Sequence, residues 1–343
     1  MADRIEPYAN PYLIGHDDEV KLFLNAYNSG TLHHGWLITG DEGIGKATLA
    51  YKIARFLLSA EEGKTYNTLD IAPDSPIFAQ VAQKSHPDFK VLERDFIETD
   101  KKKLLKAIKQ GDVVDDTMLS SLKRSQVIKA EDVRDVVSFL MKKSFNDNWR
   151  VVIVDTADDF NVFSANALLK ILEEPPAKSI LLLLSSSPAR LLPTIRSRCA
   201  KLSLSPLKNT EVASLLRRYM PELKEKEVKG LAEISGGSIG RAMRYAENDA
   251  LSMYEDIQKV CYAGAKADGE LLISLAERAS ADDDTWALFS ELICRFMRSY
   301  MADCADKRAF YDVYAGNIKV LDEVSRLNMD RRQAALIILR GAF

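Results

Sequence analysis

Cysteine is scarce in this chain. Cys199, Cys261, Cys294 and Cys304 are the four present, and none sits in a CxxC pair. Neither a zinc knuckle nor a disulfide framework is suggested. Histidine is equally thin, at His16, His33, His34 and His86, so no His-rich metal site is expected. No apolar run approaches the roughly 20 residues that cross a bilayer. The opening MADRIEPYANPY has no apolar core and does not read as a signal peptide. The chain is therefore expected in the cytoplasm, without a membrane partner. With 16 glycines and 11 prolines it is neither collagen-like nor linker-rich. Charge of one sign is also lacking: 47 basic against 50 acidic residues leave −3. A broad basic surface for gripping nucleic acid is thereby excluded, and any DNA contact must be local or shared.

What is present is an ordinary globular balance, 47% hydrophobic and 28% charged. A length of 343 residues suggests two domains at about 150 residues each, or three if some are small. Short apolar runs recur at Trp36–Thr39, Phe89–Leu92, Val151–Val154 and Ile180–Leu184, with a weaker alternating run at Lys201–Leu204. Runs of this length read as strands buried on both faces. Helical patterns lie between them, at Asp17–Tyr27, Lys46–Leu58, Ala130–Lys142 and Ser164–Glu173. Alternation of this kind predicts βαβ units, hence an α/β domain with a parallel sheet and flanking helices over residues 1–205. A charged, weakly patterned stretch over about 93–128, with Lys101, Lys102 and Lys103, reads as a solvated insertion or as an arm that contacts DNA or a partner. After Pro206 the pattern turns helical. Three short helices are expected over 206–249, and a helical bundle over 250–343.

The first strand runs into Gly40-Asp-Glu-Gly43-Ile-Gly45-Lys46-Ala47-Thr48 and then a helix. That is the setting of a phosphate-binding loop, in which glycines let backbone N–H groups surround phosphate and the lysine neutralises it. The hydroxyl that holds Mg²⁺ is missing, because residue 47 is Ala. Thr48 comes one residue late, about 100° further around the helix. The strand VVIVD ends in Asp155, where an acidic residue would complete such a site. The next position, which needs a carboxylate to activate water, holds Thr156, and Asp158 and Asp159 read as solvated turn residues. Metal positioning and water activation are both weakened. Lys46 is open between holding phosphate and merely neutralising a helix start, and Asp155 between a site residue and a cap. ATP and Mg²⁺ binding is left open, no cofactor is required, and no bound metal is expected.

Three further stretches are more distinctive: Ser164-Ala-Asn-Ala-Leu-Leu-Lys-Ile-Leu-Glu173-Glu174-Pro-Pro, then Leu192-Pro-Thr-Ile-Arg-Ser197-Arg198-Cys199, and Gly237-Ser-Ile-Gly240-Arg241. With His33-His34-Gly-Trp-Leu-Ile-Thr-Gly40 they resemble bacterial clamp-loader subunits of the AAA+ class. The likeness is to the delta-prime type of DNA polymerase III in the form seen in alphaproteobacteria. It implies an AAA+ module, a small helical lid over 206–249, and a C-terminal collar and oligomerisation domain over 250–343. It implies gamma/tau-type ATPases and delta as partners, the sliding clamp indirectly, and primed DNA through the assembled complex. It also implies membership of a holoenzyme with nucleotidyltransferase activity, the chain alone having neither polymerase nor ATPase activity. Arg198, with Ser197 and Cys199 beside it, would be the arginine finger donated to a neighbour's ATP. Ser186, in the cluster Ser185–Ser187, would be the sensor-1 residue.

The sequence departs from the family pattern in two places. It has no Cys before Cys199, so the family's zinc module is not expected. The phosphate-sensing arginine of the lid would fall at Gly240, and Arg241 is one residue late. Other readings stand beside the main one: Arg198 paired within the chain, Cys199 a small buried apolar residue, Glu173-Glu174 a charged helix end. The competing function is an autonomous AAA+ ATPase, which would want Ser or Thr at 47 and Glu at 156.

Overall fold

The computed structural model describes residues 6–110, 118, 122–144, 148–303, 306–327 and 329–341. Cys304 and part of the 93–128 stretch lie outside the described residues. Two compact units are present, the first ending at Glu211 and the second beginning at Val212.

In the first unit the expected apolar runs form strands β1 (Gly35–Thr39), β2 (Phe89–Glu93), β3 (Arg150–Asp155), β4 (Ser179–Ser185) and β5 (Ala200–Ser203). All are parallel, in the order β2-β3-β4-β1-β5, the parallel sheet that the alternating runs predict. Successive side chains of a strand point to opposite faces, and both faces are covered here. Ile38, Ile153 and Leu182 pack with Leu49, Ile53 and Leu57 of helix α2 (Lys46–Ser59), beside α1 (Asp17–Asn28) and α3 (Pro76–Ala82). Leu37, Val152, Val154 and Leu183 pack on the other side. Their partners there are Val133 and Val136 on one helix and Leu168 and Ile171 on another. Before these comes α4 (Glu98–Gln110); the two helices are α5 (Ala130–Met141) and α6 (Val162–Glu173). Burial on both sides is why the strands read as continuous apolar runs; each large apolar side chain removed from water contributes about 1.5–3 kcal/mol.

This topology gives the sheet two chemically different ends. The carboxyl ends of the strands carry the loop 40–45, Asp155 and Ser185–Ser187. The amino ends carry His33 and His34, the short helix α7 (Pro193–Arg196) and Arg198. Helix α6 runs back against the strands and delivers Glu173 to the amino end. Helix α4 occupies part of the charged, weakly patterned stretch over 93–128. Its acidic residue Asp100 is buried and accepts from the Lys123 N–H at 2.9 Å, and an isolated bridge joins Phe96 to Arg124. These contacts close that part of the 93–128 stretch on itself, and Arg94 ties it to Asp159 at 3.1 Å.

Helix α8 (Asn209–Tyr219) carries the chain into the second unit, which contains α9 (Glu225–Ser235), α10 (Ile239–Glu247), α11 (Ala250–Ala263) and α12 (Gly269–Ala279). The long α13 (Asp283–Asp303) and α14 (Lys307–Leu327) and then α15 (Arg331–Gly341) follow. Ile257, Phe289, Leu292, Phe296 and Ile338 are fully buried in it. Phe289, Leu292 and Phe296 on α13 follow the three- and four-residue spacing of an amphipathic helix.

Candidate functional site

The loop at the carboxyl end of β1 has the shape of a phosphate loop. Gly40 has φ +145°, and a Cβ there would come within 2.7 Å of the Leu204 carbonyl oxygen. Only glycine fits that position without displacing backbone. Gly43 and Gly45 also have positive φ, and Gly45 leads directly into α2. Lys46, however, is turned back on the loop. Its ammonium donates to the Gly40 carbonyl at 2.8 Å, the Asp41 carbonyl at 2.7 Å and the Ser186 hydroxyl at 2.8 Å. An ammonium has three donors, and three protein acceptors meet them. Burial pushes the Lys46 pKa down, against the pull of Asp155, Asp158, Glu42 and Asp41. Asp41 and Glu42 are exposed on the loop. Ala47 packs beside the core and Thr48 is buried on α2.

Asp155 stands at the end of β3, in register with Glu93 of β2. Burial and then the Glu93 charge raise its pKa above the usual carboxylate range, while Lys46 and Lys84 act in the opposite sense. Glu93 pairs with Lys84 at 2.7 Å and Arg124 at 3.4 Å. Position 156, where a water-activating glutamate would stand, has a different job. The Thr156 hydroxyl oxygen accepts from the Asp158 N–H at 2.9 Å and caps the turn Ala157–Asp159. The turn aims Asp158 at the tip of β4. Its carboxylate accepts from the Ser185 hydroxyl at 2.6 Å, the Ser186 N–H at 2.6 Å and the Ser187 N–H at 3.2 Å. Asp159 pairs with Arg94 at 3.1 Å. Asp158 and Asp159, expected as solvated turn residues, are both engaged. The Thr-x-Asp spacing, a common side-chain cap, was the available signal.

The amino end of the sheet differs in kind. Arg198 is 37% exposed; its Nη2 pairs with Glu173 at 2.8 Å and its Nη1 donates to the Thr194 carbonyl at 3.1 Å. The Ser197 hydroxyl donates to the same carbonyl at 3.1 Å. Cys199 is buried, and burial pushes its thiol up to about 12, so it is a small apolar residue rather than a nucleophile. His34 donates from Nε2 to the Leu172 carbonyl at 2.9 Å and stacks on His33 with centroids 4.3 Å apart. Burial lowers the His34 pKa, more than its bond to Leu172 raises it. The in-chain pairing of Arg198 is therefore real, and Glu173 is its carboxylate.

In the second unit, Arg241 is held away from any role in its own loop. Its Nε pairs with Glu291 of α13 at 2.8 Å and its Nη1 donates to the Ser235 carbonyl at 2.8 Å. Arg244 at 2.5 Å and the Tyr245 hydroxyl at 2.9 Å also meet Glu291. One carboxylate thus ties α10 to α13, a contact that no local spacing announces.

A sequence profile described as DNA polymerase III, delta subunit, matches residues 15–208. The match covers both ends of the sheet, including Lys46, Asp155, Ser186 and Arg198. The chain is 33% identical over 213 residues to DNA polymerase III subunit delta' of Pseudomonas aeruginosa, covering 62% of this chain and 55% of that protein. It is 25% identical over 252 residues to DNA polymerase III subunit gamma of Buchnera aphidicola subsp. Schizaphis graminum, covering 72% and 60%. To DNA polymerase III subunit delta' of Escherichia coli it is 25% identical over 257 residues, covering 75% and 67%. The chain spans little more than half the length of the first two of these relatives.

Proposed function

The chain belongs to the DNA polymerase III delta-subunit family, and from that premise we propose that it serves as a delta'-type, non-hydrolysing subunit of a clamp loader. In that role it binds gamma/tau-type ATPases and delta, and it reaches the sliding clamp and primed DNA through the assembled complex. Its chemical contribution is Arg198, donated to the ATP of a neighbouring subunit.

The observation that carries this reading is the placement of the two cations. Lys46 lies at the carboxyl end of β1 and Arg198 beyond the amino end, separated by four strand steps, or roughly 13 Å. Arg198 cannot serve the loop of its own chain from there. It is half-exposed at the surface, where a second molecule can be met. Arginine suits such a task because its planar, permanently charged fork matches phosphate oxygens. A finger of this kind contributes roughly 10³–10⁵ to phosphoryl transfer.

The phosphate loop supports the non-hydrolysing half of the proposal. The residues present fit a Mg–nucleotide poorly. The Lys46 donors are committed, residue 47 offers no hydroxyl, Thr156 caps a turn, and two loop carboxylates oppose an anion. The test is Arg198→Ala in a complex reconstituted with the ATPase subunits, delta, clamp and primed DNA. Clamp-loading turnover should fall by about tenfold or more. Unchanged turnover would remove the finger from this chain. ATP turnover by the isolated chain, dependent on Lys46, would favour an autonomous ATPase instead.

A further inference from the structure

The motifs HHGW, ANALLKILEEPP and IRSRC are far apart in sequence and converge on Arg198. His34 holds the Leu172 carbonyl at the end of α6. Gly35 has no side chain, so Leu172, Cys199 and the Arg198 carbonyl close in on it; a Cβ there would lie 3.0, 3.3 and 3.5 Å from them. The next residue of α6, Glu173, meets the guanidinium. From this convergence we infer that Glu173 is a positioning residue that presets Arg198 for the neighbouring subunit. The inference rests on the trans role proposed above.

Three observations carry it. Glu173 is the last residue of α6, at the end of the helix where the macrodipole disfavours a carboxylate. Arg198 is the cation that offsets that cost. Second, the guanidinium is held from two separate elements, by Glu173 on α6 and by the Thr194 carbonyl on α7. Two anchors fix the plane of the fork as well as its position. Third, a guanidinium has five N–H donors; the Thr194 bond uses one of Nη1, and Nη2 lies against Glu173 as an ion pair. Nε–H and one hydrogen on each Nη remain for phosphate oxygens. An arginine already ordered loses less rotamer freedom when the phosphate arrives.

The opposing effect is the negative charge of Glu173 near an incoming phosphate. Glu173 is about half exposed, and water and salt screen such a charge strongly. Positioning therefore outweighs repulsion.

The reconstituted complex, with clamp and primed DNA, separates these effects. Glu173→Ala should lower kcat of the stimulated ATPase by about twofold to fivefold, the range of one exposed ion pair, with KM for ATP unchanged. Glu173→Gln keeps an oxygen for Nη2 without the charge and should restore kcat to near the wild-type value. The double variant Glu173→Ala with Arg198→Ala should be no slower than Arg198→Ala alone, because Glu173 acts through Arg198. Wild-type kcat in Glu173→Ala, where Arg198→Ala is impaired, overturns the positioning role and leaves the finger standing. A double variant slower than Arg198→Ala also overturns it. Wild-type kcat in Arg198→Ala overturns the finger, and Glu173 positioning with it.

Discussion

The two ends of the sheet hold one cation each and use it in opposite ways. At the carboxyl end Lys46 is buried, and its three donors are spent on two loop carbonyls and Ser186. At the amino end Arg198 is half-exposed, held by Glu173 and Thr194, with donors left over. The first arrangement is finished within the chain. The second leaves guanidinium donors facing outward, where the proposed trans role would use them. On the proposed role, the loop serves as architecture and the far edge of the sheet carries the chemistry.

The widest gap this comparison predicts is between Lys46→Met and Arg198→Ala in the assembled complex. Arg198→Ala should remove at least about tenfold of clamp-loading turnover. Lys46→Met should change it by less than about twofold, since the lost contacts are internal hydrogen bonds of the kind that contribute about 1 kcal/mol each to folding. Equal losses in the two variants would mean that the loop acts in turnover, and the contrast between the ends would collapse. The Glu173 series sharpens the same comparison with its smaller, twofold to fivefold range.

The contrast was only half legible in the sequence. The inner strands β1, β3 and β4 announced themselves because both their faces are buried, the edge strand β5 only by the alternation of buried Leu202 with exposed Lys201 and Ser203, and the helices around them because their apolar residues recur at helical spacing. Helix α3 was missed, being a single short amphipathic turn or two behind Pro76, and α4 because its lysines mask a weak period. At the site, residue types were visible but partners were not. Lys46 and Arg198 could be singled out from their motifs; the Ser186 and Glu173 contacts that distinguish them span 140 and 25 positions. Thr156 was read by what it lacks, a carboxylate, when its hydroxyl oxygen is the part in use. Such facts are set by how βαβ units bring distant loops together, which no local pattern encodes.

The next effect down concerns how the closed end is kept closed. Asp158 ties the β4 tip through the Ser185 hydroxyl and the N–H groups of Ser186 and Ser187, and Ser186 in turn meets Lys46. Hydrogen bonds to a charged group contribute about 1.5–3 kcal/mol. Asp158→Ala should destabilise the isolated chain by about 2–3 kcal/mol in urea unfolding, and Asp158→Asn by roughly half that. Amide exchange at Ser186 and Ser187 should quicken in both. A neutral result would mean that water replaces Asp158 freely, and the loop's closure would then rest on Lys46 alone.

The smallest effect has the opposite sign and depends on pH. Asp155 is partly buried beside Glu93 on the neighbouring strand, and desolvation and the Glu93 charge both raise its pKa above 3.8. Between 3.8 and that raised value the folded chain binds more protons than the unfolded chain, so stability falls as pH rises. The cost is complete once the pH exceeds the folded-state pKa, and neutral pH carries all of it. Asp155→Asn removes the ionisation and offers Glu93 an N–H donor. The variant should melt above the wild type at pH 7, and the difference should shrink through the acid range and disappear below pH 3.8. Thermal melts of both proteins across that range give the answer. A variant less stable at pH 7 would mean that the Lys46 attraction outweighs burial and Glu93, and that the carboxyl end keeps Asp155 charged for use rather than tolerating it.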